Sequence, residues 1–249
     1  MKKFRSNFDY LPYIQLLTTL ISILTLLFYF DYQLLICSCI MYFMIQGVGI
    51  SIGYHRYLSH KSFELKHKWM EWPILWLGCL SGTGSPLGWE ALHKSHHRHT
   101  DKHGDPHSPK VHGIKVLLMH YKTKLNKFDI KNTLVDKNHK FVHNYYYLLL
   151  IMWLAFSFAQ DINLALYMVI IPMCMSIWVT VFTNYINHSW GYRNYNTKDN
   201  SKNNPCTAFL NFGEGWHNNH HANPGNWTTQ EKWWELDPCG FFIKLIKCN

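Results

Sequence analysis

The sequence predicts an all-α integral membrane protein with four transmembrane helices, paired as two hairpins, and a histidine-rich helical cap that holds a dimetal site on the cytoplasmic side. Three observations predict this fold. Four long apolar runs carry essentially no charge, 17 histidines among 249 residues gather in clusters, and all lysines and arginines lie outside the apolar runs. A chain of this length fits one domain, which we expect to span residues 1–249.

The first hairpin is predicted over residues 11–30 and 32–53, two uncharged apolar runs separated by Asp31. About 20 apolar residues cross a hydrocarbon core of roughly 30 Å. A basic start before an apolar run is also typical of a secretory signal, but no small-residue cleavage site follows and the second run begins at once. The spacing of Gly49 and Gly53 lets another helix approach closely, although ordinary glycine use explains the pair as well.

The second hairpin is predicted over residues 145–159 and 162–183, and its turn carries Asp161. The two hairpin turns therefore carry acidic residues only, whereas all 24 lysines and arginines lie elsewhere. The positive-inside rule then predicts that both termini and the cap face the cytoplasm. The cap comprises residues 54–143 and 184–249.

Nine histidines occupy three clusters and the end of the last predicted span. They are His55, His60, His93, His96, His97, His188, His217, His220 and His221. In two of the clusters the spacing i, i+3, i+4 puts the imidazoles on one face of a helix. Four spans bring every cluster to the same face of the membrane, so we expect these imidazoles to converge.

Nine imidazole nitrogens exceed what one metal ion holds, since a tetrahedral zinc site takes four ligands. Two metals with four or five histidines each fit the count. Structural zinc usually recruits thiolates, and none of the seven cysteines lies in a cluster. A redox metal with open coordination positions, iron above all, is therefore favoured. A non-catalytic metal store or transporter is the alternative, but transport requires ionisable residues inside the spans.

The motifs at residues 55–60, 93–97 and 217–221 resemble the three histidine boxes of membrane fatty acid desaturases of the acyl-CoA (Δ9-type) group. The flanking residues 104–109 and 213–216 match that family as well. The resemblance implies a di-iron enzyme that uses O2 and two electrons to introduce a cis double bond into a saturated acyl chain. A related membrane di-iron hydroxylase or ketolase, which shares the metal chemistry, is the alternative.

The resemblance also implies roles for particular residues. It makes the nine histidines iron ligands, and it makes Asn184 a further ligand acting through water. Trp89, next to the second motif, is our candidate for lining the acyl entrance.

Further candidates come from the flanks of the motifs. Asp101 and Asp105 are expected to orient ligand imidazoles, alone or together with nearby histidines. Glu214 is expected either to orient an imidazole of the third motif or to cap a turn. Five other histidines lie in basic stretches, where we expect them to be solvated and not to bind metal: His67, His112, His120, His139 and His143.

The partners follow from the same resemblance. The chain carries no motif of a fused cytochrome b5 domain, so electrons from NAD(P)H are expected through a separate carrier such as cytochrome b5 or ferredoxin. Ala91 and Leu92 stand where animal members carry Arg-Asp, which leaves the acyl carrier open among CoA, acyl-carrier protein and a lipid. The basic cap is expected mainly to meet anionic headgroups of the bilayer, with steering of an acidic electron carrier as a second role, and not to bind nucleic acid.

Overall fold

The computed structural model describes residues 8–119, 133 and 136–248. Within these residues the secondary structure is helical, with isolated β-bridges only, which confirms the all-α class. Short 3₁₀ turns cover Lys68–Met70 and Gly113–Leu118. The helices are α1 Leu11–Phe28, α2 Tyr32–Ser59, α3 Glu71–Cys79, α4 Pro86–His99, α5 Pro109–His112, α6 Lys137–Gln160, α7 Ile162–Asn187, α8 Pro205–Leu210, α9 His217–Ala222 and α10 Pro238–Ile246.

Four of these helices, α1, α2, α6 and α7, are long and apolar enough to cross a membrane. Three of them extend beyond the apolar runs of the sequence: α2 continues past residue 53, α6 begins before residue 145, and α7 continues past residue 183. These extensions are polar, so hydropathy did not predict them. They remain helical because they pack against the cap, as with His55 and Arg56 in the last turns of α2, both of which are buried.

The turns that join α1 to α2 and α6 to α7 lie at the same end of the bundle. Asp31 and Asp161 each cap the helix that follows with a side-chain oxygen. The Tyr167 hydroxyl donates to the carbonyl of Tyr29 at 2.6 Å and accepts from the backbone N–H of Asp31 at 2.9 Å. Because the turns meet at one end, the histidine-bearing ends of α2 and α7 meet at the other.

Helix α3 packs against α2 at two glycines. A Cβ at Gly49 would lie 2.4 Å from the backbone nitrogen of Gly78, and one at Gly53 would lie 2.3 Å from a side-chain carbon of Ile74. The glycine spacing therefore does permit a close helix approach, and the partner is the short helix α3. This contact fixes the chain that leads into α4, which carries the second histidine motif.

We expect Gly49→Ala to destabilise the protein, because the new methyl group meets backbone atoms that cannot move aside. Overpacking of this kind costs about 1–3 kcal/mol. Thermal unfolding of the detergent-solubilised protein, followed by tryptophan fluorescence, measures the effect. Gly225→Ala is the control, because a Cβ there meets nothing within 4 Å; equal melting temperatures for the two variants would contradict the packing account.

Candidate metal centre

Five imidazoles converge between the end of α2, helix α4 and helix α9. The Nε2 atoms of His55 and His220 lie 3.0 Å apart, and those of His60 and His93 lie 2.7 Å apart. The Nε2 atom of His97 lies 3.0 Å from that of His93 and 2.9 Å from that of His220. We call these five residues the first histidine group.

Four further imidazoles form a second histidine group beside the first. The Nε2 atom of His217 lies 3.1 Å from that of His188 and 3.1 Å from that of His221. The Nε2 atom of His96 lies 3.4 Å from that of His221. Each of the two motifs with the i, i+3, i+4 spacing is thus divided between the two groups: α4 gives His96 to the second group, and α9 gives His220 to the first.

Four of the nine imidazoles have a carboxylate at Nδ1. The pairs are His55 with Glu214 at 2.7 Å, His96 with Asp105 at 2.9 Å, His188 with Asp101 at 3.1 Å and His221 with Asp199 at 3.1 Å. A carboxylate accepts the Nδ1 hydrogen, so the lone pair of the ring is left on Nε2. Each of these rings therefore turns a lone pair toward the centre of its group.

The nitrogen atoms at the centre fit bound metal ions. Burial, together with neighbouring histidines, lowers the pKa of His93, His96 and His97 well below its usual value, so these rings are neutral at pH 7. The Nε2 lone pairs of His96 and His221 face each other at 3.4 Å and repel, because a carboxylate holds the proton of each ring on Nδ1 and no hydrogen bond can form between them. A cation among the Nε2 atoms removes this conflict, and imidazole suits iron, zinc, copper and nickel.

Two of these carboxylates, Glu214 and Asp101, stay ionised despite their burial. Burial raises the pKa of Glu214, but the Arg56 guanidinium and His55 lower it by more than burial raises it. The pKa of Glu214 therefore lies below its usual value. Burial likewise raises the pKa of Asp101, but the hydrogen bond and charge of His188 bring it to about 2. Both groups therefore remain hydrogen-bond acceptors for imidazole at pH 7.

The structure places the residues predicted beside the ligands next to imidazoles or in the walls of the adjoining cavities. The imidazole beside Glu214 is His55 of the first motif, and not a ring of the third motif as predicted. Asp101, Asp105 and Glu214 each accept from an imidazole Nδ1. The Trp89 ring stacks on His93, with ring centroids 4.9 Å apart. Asn184 lines the same two small cavities as Trp89 and His93, between α2, α4 and α7.

Sequence reasoning missed two features of the site. Asp199, which accepts from His221, lies in a polar loop whose sequence gives no signal of the contact. Arg56 lies between the two histidines of the first motif and is buried, with contacts to Glu214 at 2.8 Å and to Asp237 at 2.7 Å. A buried cation at the end of an apolar span needs acidic partners, and this requirement could have predicted that Arg56 contacts buried carboxylates.

Two histidines expected to be solvated are buried instead. His139 donates Nε2–H to Glu71 at 2.7 Å, and His143 shares a hydrogen bond with Ser85 at 2.6 Å. The expectation was wrong because α6 begins before its apolar run, and its first turns pack against α3 and α4. His120 lies outside the described residues.

The family model described as "Fatty acid desaturase" matches residues 32–239. The histidine groups, the apolar helices and this match agree, and the chain belongs to the fatty acid desaturase family. The family and the four candidate spans together make it a multi-pass membrane protein. Family membership was expected from the motifs and is confirmed.

Several curated relatives are similar over most of the chain. The sn-2 palmitoyl-lipid 9-desaturase of Nostoc sp. is 31% identical over 88% of this chain and 80% of its own length. The delta-9 acyl-lipid desaturase 1 of Arabidopsis thaliana is 30% identical over 88% of this chain and 74% of its own length. The chloroplast palmitoyl-monogalactosyldiacylglycerol delta-7 desaturase of Arabidopsis thaliana is 32% identical over 88% of this chain; the chain spans 61% of that relative's length.

We expect Asp199→Asn to weaken metal binding, because the neutral side chain holds the Nδ1–H of His221 less firmly than the carboxylate does. Loss of such a supporting group typically weakens metal affinity about 10–100-fold. Metal content after equilibration with graded chelator concentrations measures the change. Glu64→Gln removes the same charge from an exposed side chain and is the control; equal metal retention in the two variants would argue against the orienting role of Asp199.

Proposed function

We propose that this protein is a di-iron fatty acyl desaturase that introduces a cis double bond into a saturated acyl chain. The observation that supports this most is the pair of adjacent all-imidazole groups, of five and four rings, at one end of an apolar helix bundle. One –CH2–CH2– unit, one O2, two electrons and two protons give one –CH=CH– unit and two waters. Bound iron supplies the activation of O2 that this reaction needs.

We assign the first histidine group to one iron and the second histidine group to the other. Asn184 completes the second site through a water molecule, consistent with its place beside His217 in the cavity wall. An all-imidazole donor set with open positions suits iron that must react with oxygen. Asp101, Asp105, Asp199 and Glu214 keep their imidazoles in the tautomer that presents Nε2 to the metal.

The cavity beside the histidine groups positions the acyl chain. Ile50 of α2, Trp89 of α4 and Thr180 of α7 line it, together with His55 and His93. Holding one pair of methylene groups against the oxidising centre is a proximity effect. The buried walls also keep water from consuming the oxidant.

The names of the relatives guide the choice of substrate. Two of them act, by name, on acyl-lipid or palmitoyl-lipid at position 9. We therefore propose a lipid-bound chain as the substrate, with desaturation at the Δ9 position. Electrons from NAD(P)H arrive through a separate carrier, cytochrome b5 or ferredoxin.

The same proposal includes the topology. The chain forms one domain with two transmembrane hairpins, whose turns carry Asp31 and Asp161 and lie outside the cytoplasm. The distribution of all 24 lysines and arginines supports a cytoplasmic location for both termini and for the metal centre.

The fatty acid profile of a desaturase-deficient host that expresses this chain tests the proposal. We expect a new monounsaturated acid, with its double bond located by gas chromatography and mass spectrometry. His96→Ala should abolish the product, because it removes a ring of the second histidine group and the imidazole that Asp105 holds. His67→Ala, at an exposed histidine outside both groups, should leave the product unchanged.

The alternative outcomes are informative. A hydroxy or keto lipid in place of the unsaturated acid would replace desaturation by oxygenation. No new lipid from an intact, iron-loaded protein supplied with a donor would contradict the proposed activity.

A further inference from the structure

An apolar groove runs along the outside of the bundle between α1 and α7. Tyr13, Leu16 and Thr19 of α1 line it together with Trp178 of α7 and Leu118. Its volume is about 330 Å³, at the lower end of the roughly 300–1,000 Å³ of ligand pockets. The groove therefore has room for part of an acyl chain.

Three polar side chains of the groove, those of Gln15, Thr19 and Trp178, form hydrogen bonds within the protein. The Gln15 side-chain amide donates to the carbonyl of Leu117 at 2.8 Å. The Trp178 indole N–H donates to the Thr19 hydroxyl at 2.8 Å, and that hydroxyl donates to the Gln15 carbonyl at 2.6 Å. The groove thus presents mainly carbon to an occupant, which favours a methylene chain over a polar headgroup.

The groove is continuous with the apolar surface that faces the bilayer. Leu16 itself is 70% exposed, and the α1 leucines at positions 17 and 20 are more than half exposed. Since α1 and α7 are both candidate spans, hydrocarbon chains of lipids surround this surface. The molecule available to occupy the groove at this position is therefore a lipid acyl chain.

Among the described residues, two segments line both the groove and the cavity beside the histidines. Trp178 of α7 lines the groove, and Thr180 of the same helix lines the cavity. Leu118 lines the groove, and the next residue, Met119, lines the cavity together with Trp89 and His93. The lipid-facing groove and the space beside the metal centre are therefore lined by consecutive residues of the chain.

Met119 combines a left-handed backbone with a buried side chain. Its backbone is left-handed, with φ 46° and ψ 28°, and its side chain is 1% exposed, in the same buried cluster as Leu92 and Ile177. A left-handed conformation is rare for a residue with a side chain, and such strained positions concentrate where a structure has to switch or bind. Methionine is also the apolar side chain that adapts most readily to a changing space.

We propose that the groove takes up one acyl chain of a membrane lipid, and that the chain reaches the metal centre through the position that Met119 closes. This inference rests on the proposed function and adds the entry site and its gate. The substrate is then drawn sideways from the bilayer and not delivered by a water-soluble acyl carrier.

Photolabelling tests the site without requiring catalysis. The full-length protein is placed in phosphatidylcholine nanodiscs that contain a lipid with a diazirine in mid-chain, irradiated, and mapped by peptide mass spectrometry. We expect label on Leu118 and Met119. Label on Met119 is diagnostic, because a residue that is 1% exposed is out of reach of the lipids that surround the bundle.

A matched pair of variants on α1 sharpens the test. Leu16→Trp fills the groove and should lower labelling of Met119 about tenfold or more, since a filled pocket excludes its ligand. Leu17→Trp places the same side chain on the neighbouring exposed leucine, which does not line the groove, and should leave labelling unchanged. Where the wild type desaturates lipid in the host described above, product yield should follow the same order.

A third variant separates the gate from the groove. Met119→Phe should keep label on Leu118 but lower desaturation about tenfold, because the larger ring blocks the passage. Met119→Leu should preserve both the label on Leu118 and desaturation. Label confined to outward leucines of α1, or equal labelling in Leu16→Trp and wild type, would overturn the proposal. These labelling results hold whether or not the host experiment yields a new acid, so the groove and the proposed activity are judged separately.

Discussion

The constraint on which the structure depends is the close approach of nine imidazoles, six of them on buried residues. Their Nε2 atoms lie 2.7–3.4 Å from their neighbours in each group. Carboxylates on the Nδ1 atoms of His96 and His221 leave two Nε2 lone pairs facing each other, and these lone pairs repel. The polypeptide holds the rings in place by other means, and a cation between them turns the repulsion into binding.

Three features hold the rings in place: the carboxylates, the long helices and one buried arginine. The carboxylates fix the tautomer of four rings at Nδ1. The spans bring the ends of α2 and α7 together, so that His55 and His188 meet rings from α4 and α9. Arg56 then joins Glu214, which holds His55, to Asp237 at the start of α10. The first histidine motif, the third motif and the C-terminal helix are therefore connected through a single guanidinium group.

The sequence was sufficient for the features that rest on local patterns. Uncharged apolar runs predicted the four long helices, and histidine spacing predicted which residues meet. The tautomer-fixing contact of Asp199, the burial of His139 and the extension of α6 to Lys137 were out of reach. Each depends on a contact between segments far apart in the chain, and neither hydropathy nor spacing encodes such contacts. Glu214 was predicted to orient an imidazole of the third motif or to cap a turn, but its side chain contacts His55 and Arg56 of the first motif.

The most direct test of this account is the number and identity of bound metal ions. Elemental analysis of the purified protein by mass spectrometry should give about two iron atoms per chain. His60→Ala and His188→Ala each remove a ring from one group only, and each should lower the iron content toward about one atom per chain while the other group stays loaded. One metal ion in the wild type, zinc in place of iron, or loss of both ions from either variant would contradict two separate iron sites.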